Sequence, residues 1–168
     1  MGKKKDTGKN FENEIRRSLK SSKHIWWFRI QDTNDINRFV KQAVAEKQPA
    51  DFFSVYRGRA IMVEAKTSRN LTSFPLYYGS GRAIAKHQID EGIKLERKGG
   101  LSVILIRREE YRNKKVYAIT PHQAKYLYSK AYDKKSVKWS WFDAHAISVE
   151  RLKAPLRWNI QQLYEKII

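Results

Sequence analysis

The sequence predicts an α/β protein, a mixed central β-sheet flanked by helices, and three features carry that prediction. A helical apolar stripe opens the chain, a block of strand-like runs follows, and helix-type and strand-type segments then alternate. The stripe is Phe11, Ile15 and Leu19, one face of a helix that Asp6 or Thr7 can cap and that runs to about Lys20. At about 100° per residue Glu12 borders this stripe, whereas Glu14 lies well away from it. Residues 25–30 are a short aromatic run suited to a first strand.

Residues 52–56 and 60–67 are two β-rich runs around Arg57-Gly58, a hairpin signal. A loop rich in Ser, Gly and Tyr leads to a helical pattern over residues 82–97 through Ile84, Ile89, Ile93 and Leu95, which Gly99-Gly100 ends. Two aliphatic runs of strand length, 101–106 and 116–119, come next, and Pro121 opens a helix carrying Ala124, Tyr126, Leu127 and Tyr128. Trp139, Trp141 and Phe142 are expected in a strand, and a last helix spans about 156–167. No repeat or linker breaks the pattern, so residues 1–168 read as a single domain, with 1–6 a basic flexible arm and 31–48 a partly helical flap or short stalk.

Thirty-five Lys and Arg against seventeen Asp and Glu give a formal charge of +18, which points to a polyanionic partner, nucleic acid first. An anionic membrane fits less well, because there is no long apolar run and no signal-peptide core. The absence of cysteine excludes disulfides, zinc fingers and thiol nucleophiles and suits a reducing cytoplasm. Four scattered histidines offer no pair on one helical face. Carboxylates, lysines and a hard, oxygen-loving cation are what remain for catalysis.

If Arg57-Gly58 is a two-residue turn, Tyr56 pairs with Arg59, and five steps outward along each strand bring Asp51 opposite Glu64. Like charges about 5 Å apart repel unless a cation lies between them. Alternation puts Lys66 on the face of Glu64, and Ile61, Val63 and Ala65 on the other, so one face is chemical and the other is core. Two carboxylate oxygens, the Ala65 backbone carbonyl and waters form the shell that magnesium prefers, with manganese as its substitute. Phosphodiester hydrolysis fits this shell, with Lys66 orienting the attacking water or stabilising phosphorane charge. Glu12 could add a ligand through water or serve a second cation. An alternative for the same residues is an ion pair between Glu64 and Lys66 without catalysis.

Asp51 followed by Glu64-Ala65-Lys66 resembles the PD-(D/E)xK nuclease motif. With Tyr56-Arg57-Gly58-Arg59 between the acids, the run from Thr67 to Leu76 after them, His87-Gln88, and Gly99-Gly100 before an aliphatic strand, the chain is similar to the RecU Holliday junction resolvases over about residues 8–117. The opening helix with Phe11-Glu12 also resembles that of the related archaeal Hjc resolvases.

The resemblance implies a restriction-endonuclease-like core, a homodimer, magnesium, and paired symmetrical nicks across a four-way DNA junction. It makes Asp51 and Glu64 metal ligands, Lys66 the catalytic lysine, and Glu12 and Gln88 further active-site members. Thr72 and Phe74-Pro75-Leu76 fall on the loop beside the site, with Phe74 and Leu76 expected in the core. The Pro-Thr-Pro signature that precedes the junction-entering stalk in the RecU group is missing here.

Lys3, Lys4, Lys5, Arg29, Arg38, Lys41, Arg69, Thr72, Arg82 and Lys86 are candidates for contacts to DNA. The tryptophans suit core or dimer packing better than base stacking. Two other functions use the same residues: a duplex endonuclease of restriction or repair type, and a basic DNA-binding protein without catalysis. The expected location is the cytoplasm, of a prokaryotic cell or, for a virus-encoded protein, of its host.

Overall fold

A computed structural model describes residues 7–30, 48–110, 113–153 and 157–168. Helix α1 (Thr7–Ser21) presents Phe11, Ile15 and Leu19 to the sheet, and none of the three retains exposed surface. Strand β1 (Trp26–Arg29) follows, then β2 (Phe52–Tyr56) and β3 (Arg59–Ser68). Arg57 (φ 48) and Gly58 (φ 74) are both left-handed, the geometry of a type I′ turn whose twist matches that of the strands it joins. The resulting register runs from Tyr56↔Arg59 to Phe52↔Val63, as the two-residue turn requires.

Beyond β3 the chain forms three short strands, β4 (Ser73–Pro75), β5 (Tyr77–Tyr78) and β6 (Gly81–Arg82), before helix α2 (Lys86–Arg97). The helix therefore begins four residues later than its periodicity suggests, because Arg82 pairs with Tyr77 in the β5–β6 hairpin. Strands β7 (Leu101–Arg108) and β8 (Lys115–Ile119) enter the main sheet, and helix α3 (Pro121–Leu127) starts behind Thr120, whose hydroxyl accepts from the Gln123 N–H. Next come β9 (Ser136–Lys138), helix α4 (Trp139–His145), β10 (Ile147–Val149), β11 (Arg151–Leu152), β12 (Arg157–Trp158) and helix α5 (Ile160–Ile167).

The Trp139–Phe142 segment is thus helical, not the strand expected. Trp139 and Phe142 lie three residues apart and both are buried, while Ser140 between them is exposed, which is helical spacing.

The main sheet has six strands in the order β1-β2-β3-β7-β8-β10. It is mixed, with β3 and β7 parallel and the other pairs antiparallel. One core lies between the sheet and α1 with α5, built on Phe11, Ile15, Phe52, Ile61, Val63, Leu105 and Tyr164. A second lies on the opposite face under α2, α3 and α4, built on Phe74, Leu76, Ile89, Ile104, Ile106, Tyr117 and Phe142. Phe74 and Leu76 are core residues, as expected. The division into one chemical and one core face does not hold, since Met62 and Glu64 face the second core and are buried there. Parallel pairing with an α2 crossover makes this inevitable, because a parallel sheet is covered on both faces. Close packing of α2 depends on Gly92, where a Cβ would stand 2.6 Å from Pro121 Cγ and 2.7 Å from Ser102 Oγ.

Glu14 is also buried, against its helical phase. It forms an ion pair with the fully buried Arg107 at 2.7 Å and accepts from Trp158 Nε1 at 3.1 Å. The β11–β12 hairpin covers the flank of α1 that the stripe leaves open, and Ser18 fastens it by accepting from the Trp158 N–H at 2.8 Å.

Candidate active site

Asp51 precedes β2 and is held by its backbone on both sides. Its N–H donates to the Val63 carbonyl at 3.1 Å, and its carbonyl accepts from Ile30 N–H at 2.9 Å. Register carried one step beyond Phe52↔Val63 sets Asp51 across from Glu64. The Asp51 side chain is oriented as well, because Oδ2 accepts from the Ala65 N–H at 2.7 Å. A strand amide that would otherwise face its neighbour is thereby used to aim a carboxylate.

Glu64 is buried, with only 4% of its surface exposed. Its Oε1 meets Lys66 Nζ at 2.7 Å, while its Oε2 is buried with no hydrogen-bond partner. Burial first, and the Asp51 carboxylate second, push Glu64 up to about 7, and Lys66 and the Gln88 side chain pull it back. Gln88 comes from the first turn of α2, where its Oε1 also accepts from the Ala85 N–H at 3.1 Å. Four of the five expected catalytic residues, Asp51, Glu64, Lys66 and Gln88, are therefore brought together.

An anion-bearing pair with one orphaned, buried oxygen fits a cation, since an unsatisfied carboxylate oxygen in the interior is costly. The donor set is oxygen only, which suits a hard divalent ion. Among the described residues no group of three or more His, Asp or Glu side chains gathers, so the protein offers two carboxylates and leaves the remaining positions to backbone and solvent.

Glu12 stands apart. It meets Arg29 Nη2 at 2.5 Å, and Arg29, opposite Phe52, lies on the α1 face of the sheet. Of the candidates for DNA contact, Arg69 and Thr72 are exposed just after β3, and Thr72 is tied to Asn70 Oδ1 through both its N–H and its hydroxyl. Arg82 lies over the Tyr128 ring at 4.6 Å, and Lys86 pairs with Asp90 at 2.6 Å. Lys3, Lys4, Lys5, Arg38 and Lys41, with nearly all of the expected flap, lie outside the described residues. The Gln48 carbonyl, at the flap's end, accepts from His87 Nε2 on α2 at 2.9 Å.

Sequence reasoning missed Tyr78. Burial in the β5–β6 hairpin pushes its hydroxyl up, and the Lys66 charge pulls only partly the other way. The paired tyrosines in a Ser- and Gly-rich loop were the available signal.

Glu64 gives the metal-free protein a pH dependence. Its carboxyl titrates near 7 when folded against about 4.5 when unfolded, so the stability associated with the protonated form is complete below about pH 4.5 and is lost as pH rises through 7. The loss amounts to roughly 3 kcal/mol. Urea denaturation without metal at pH 4.5 and pH 8 should show wild type losing that much more than Glu64→Gln. Equal losses would contradict the burial assigned to this carboxylate.

The RecU family model, described as Recombination protein U, matches residues 7–163. Two relatives named Holliday junction resolvase RecU are similar to part of the chain. That of Shouchella clausii is 39% identical over 69 residues, which is 41% of this chain and 29% of that protein. That of Bacillus pumilus is 36% identical over 68 residues, 40% of this chain and 31% of that protein. The aligned stretch thus spans under a third of either relative. The solved structure of Archaeoglobus fulgidus Hjc, titled a Holliday junction resolvase from an archaeal hyperthermophile, superposes with a TM-score of 0.50 at 12% identity, covering 95% of this chain and 99% of that one. That likeness bears on fold alone and agrees with a restriction-endonuclease-like core. The match over residues 7–163 takes in the carboxylate hairpin, the helix that supplies Gln88 and the elements that bury them, and it makes this chain a member of the RecU family.

Proposed function

We propose that this protein is a divalent-metal-dependent endonuclease that resolves four-way DNA junctions by paired, symmetrical phosphodiester hydrolysis, acting as a homodimer in the cytoplasm. The observation that carries the reading is the half-buried Asp51 set beside the buried Glu64, whose Oε2 is left unpartnered while its Oε1 meets Lys66. Family membership and relatives named as resolvases support the choice of substrate, and the charge of +18 supports a polyanion. The whole of residues 1–168 is read as one nuclease domain. Among the described residues no helix is long and apolar enough to cross a membrane.

In this reading Asp51, Glu64 and the Ala65 carbonyl hold the cation. Magnesium, with manganese as substitute, would supply Lewis-acid polarisation of the scissile phosphate and a more acidic water. The Ala65 N–H keeps Asp51 in place, and the Gln88 side chain favours the ionised form of Glu64 against the burial that opposes it. Lys66, which holds Glu64 Oε1 at 2.7 Å, is placed to orient an attacking water or to stabilise charge on phosphorus. Glu12, ion-paired with Arg29 on the α1 face of the sheet, would contribute through water or a second cation.

The Lys66–Glu64 pair favours one other reading, a DNA-binding protein whose acids are only ion pairs. Purified protein, magnesium, a labelled four-way junction and a linear duplex of the same sequence separate them. Paired nicks in the junction and none in the duplex are expected. Equal cutting of both would indicate a duplex endonuclease, and binding without cleavage in magnesium and manganese would overturn the enzymatic reading.

A further inference from the structure

Beyond the site lie two adjoining hollows. One, of about 640 Å³, is bordered by Tyr77, Tyr128, Lys130, Lys134 and Lys135. The other, of about 650 Å³, shares Lys134 and Lys135 and adds Lys138 and Trp141. Asp133 is the acidic residue among those that line them. All four lysines are exposed. Lys86 and Lys94 on α2 are paired with carboxylates of their own helix, whereas none of these four has an ion-pair partner among the described residues.

This surface is joined to the catalytic strand by backbone. Ser73 pairs with Lys138 and Pro75 with Ser136, the Leu76 N–H donates to the Lys135 carbonyl at 2.9 Å, and Trp139 Nε1 donates to the Asn70 carbonyl at 2.9 Å. Residues 70–76 follow directly from β3, which carries Glu64 and Lys66. On the near side, Tyr77 packs edge-on against Tyr128 with centroids 5.6 Å apart.

We propose that Lys130, Lys134, Lys135 and Lys138 form a track for the phosphate backbone of a duplex DNA arm leaving the active site. Lysine ammonium groups are point charges suited to phosphate contacts without sequence preference. Stacking of an unpaired base on Trp141 is the lesser use, because His145 already lies parallel to that ring, with centroids 4.9 Å apart. The track rests on the nuclease reading for its substrate but on its own geometry for its place.

The test is a quadruple variant, Lys130→Gln with Lys134→Gln, Lys135→Gln and Lys138→Gln, set against a control of equal charge, Arg16→Gln with Arg17→Gln, Lys20→Gln and Lys23→Gln, on and just beyond α1. Circular dichroism and urea melts report folding of both. Affinity for a four-way junction is measured in calcium at several salt concentrations, with arms of about one or about two helical turns. The track variant should bind the longer-armed junction roughly tenfold or more weakly, with a salt slope shallower by about 2 to 4, while the control changes far less. Equal losses in both variants, or unchanged affinity and slope in the track variant, would overturn the track. Loss of affinity confined to junctions with unpaired bases would replace it with base stacking. Failure of the parent protein to nick any junction would overturn the nuclease reading, a result read separately from binding.

Discussion

Glu64→Gln is expected to slow junction cleavage by at least about 10³-fold, the rate equivalent of losing several kcal/mol of transition-state charge stabilisation, while junction binding is retained. Glutamine keeps the volume and the buried position of Glu64 but removes the charge that, with Asp51, would hold the cation. Asp51→Asn should act in the same direction. Because the substitution removes a negative charge beside a phosphate path, affinity in calcium should be unchanged or slightly tighter. Single-turnover cleavage and a gel-shift titration on the same preparation separate the two effects. Cleavage within tenfold of wild type would remove Glu64 from the chemistry.

Arg107→Met should destabilise the fold by about 3 to 5 kcal/mol, because it leaves Glu14 buried without its principal partner. Arg107 is wholly enclosed, pairs with both Glu14 and Glu109, and lies over the Phe11 ring at 4.7 Å. Lys114, 3.4 Å from Glu14 Oε1 and partly exposed, compensates only in part. Combining Arg107→Met with Glu14→Leu removes both charges and should recover a large share of the loss, since well-packed apolar replacements of a buried pair are often close to neutral. Urea denaturation of the two single variants and the double variant gives the coupling. Additive losses would mean that the pair does not tie α1 to β7.

The parts legible in the sequence are those fixed by short-range geometry. A two-residue turn at Arg57-Gly58 determines the pairing of β2 with β3, and a side-chain period of two then sets Glu64 and Lys66 on one face. The Phe11, Ile15 and Leu19 stripe follows from the helical period in the same way.

What escaped depends on partners distant in the chain. Glu14 looks exposed from its own helix, and only Trp158 and Arg107, 144 and 93 positions away, account for its burial. The covering of the Glu64 face came from α2 joining two parallel strands, which no local pattern encodes. Tyr78 sits in a hairpin too short to leave a periodic signal. The Trp139–Phe142 helix was legible in principle, since its two buried aromatics are three residues apart, but β-propensity of the aromatic cluster obscured it.

A crystal of the protein grown with manganese, read for anomalous density, bears most directly on the metal site. A peak between Asp51 and Glu64 Oε2, with Lys66 drawn off its 2.7 Å contact to Glu64, is the expected result. No peak there under saturating manganese, with the Lys66–Glu64 pair intact, would contradict the assignment.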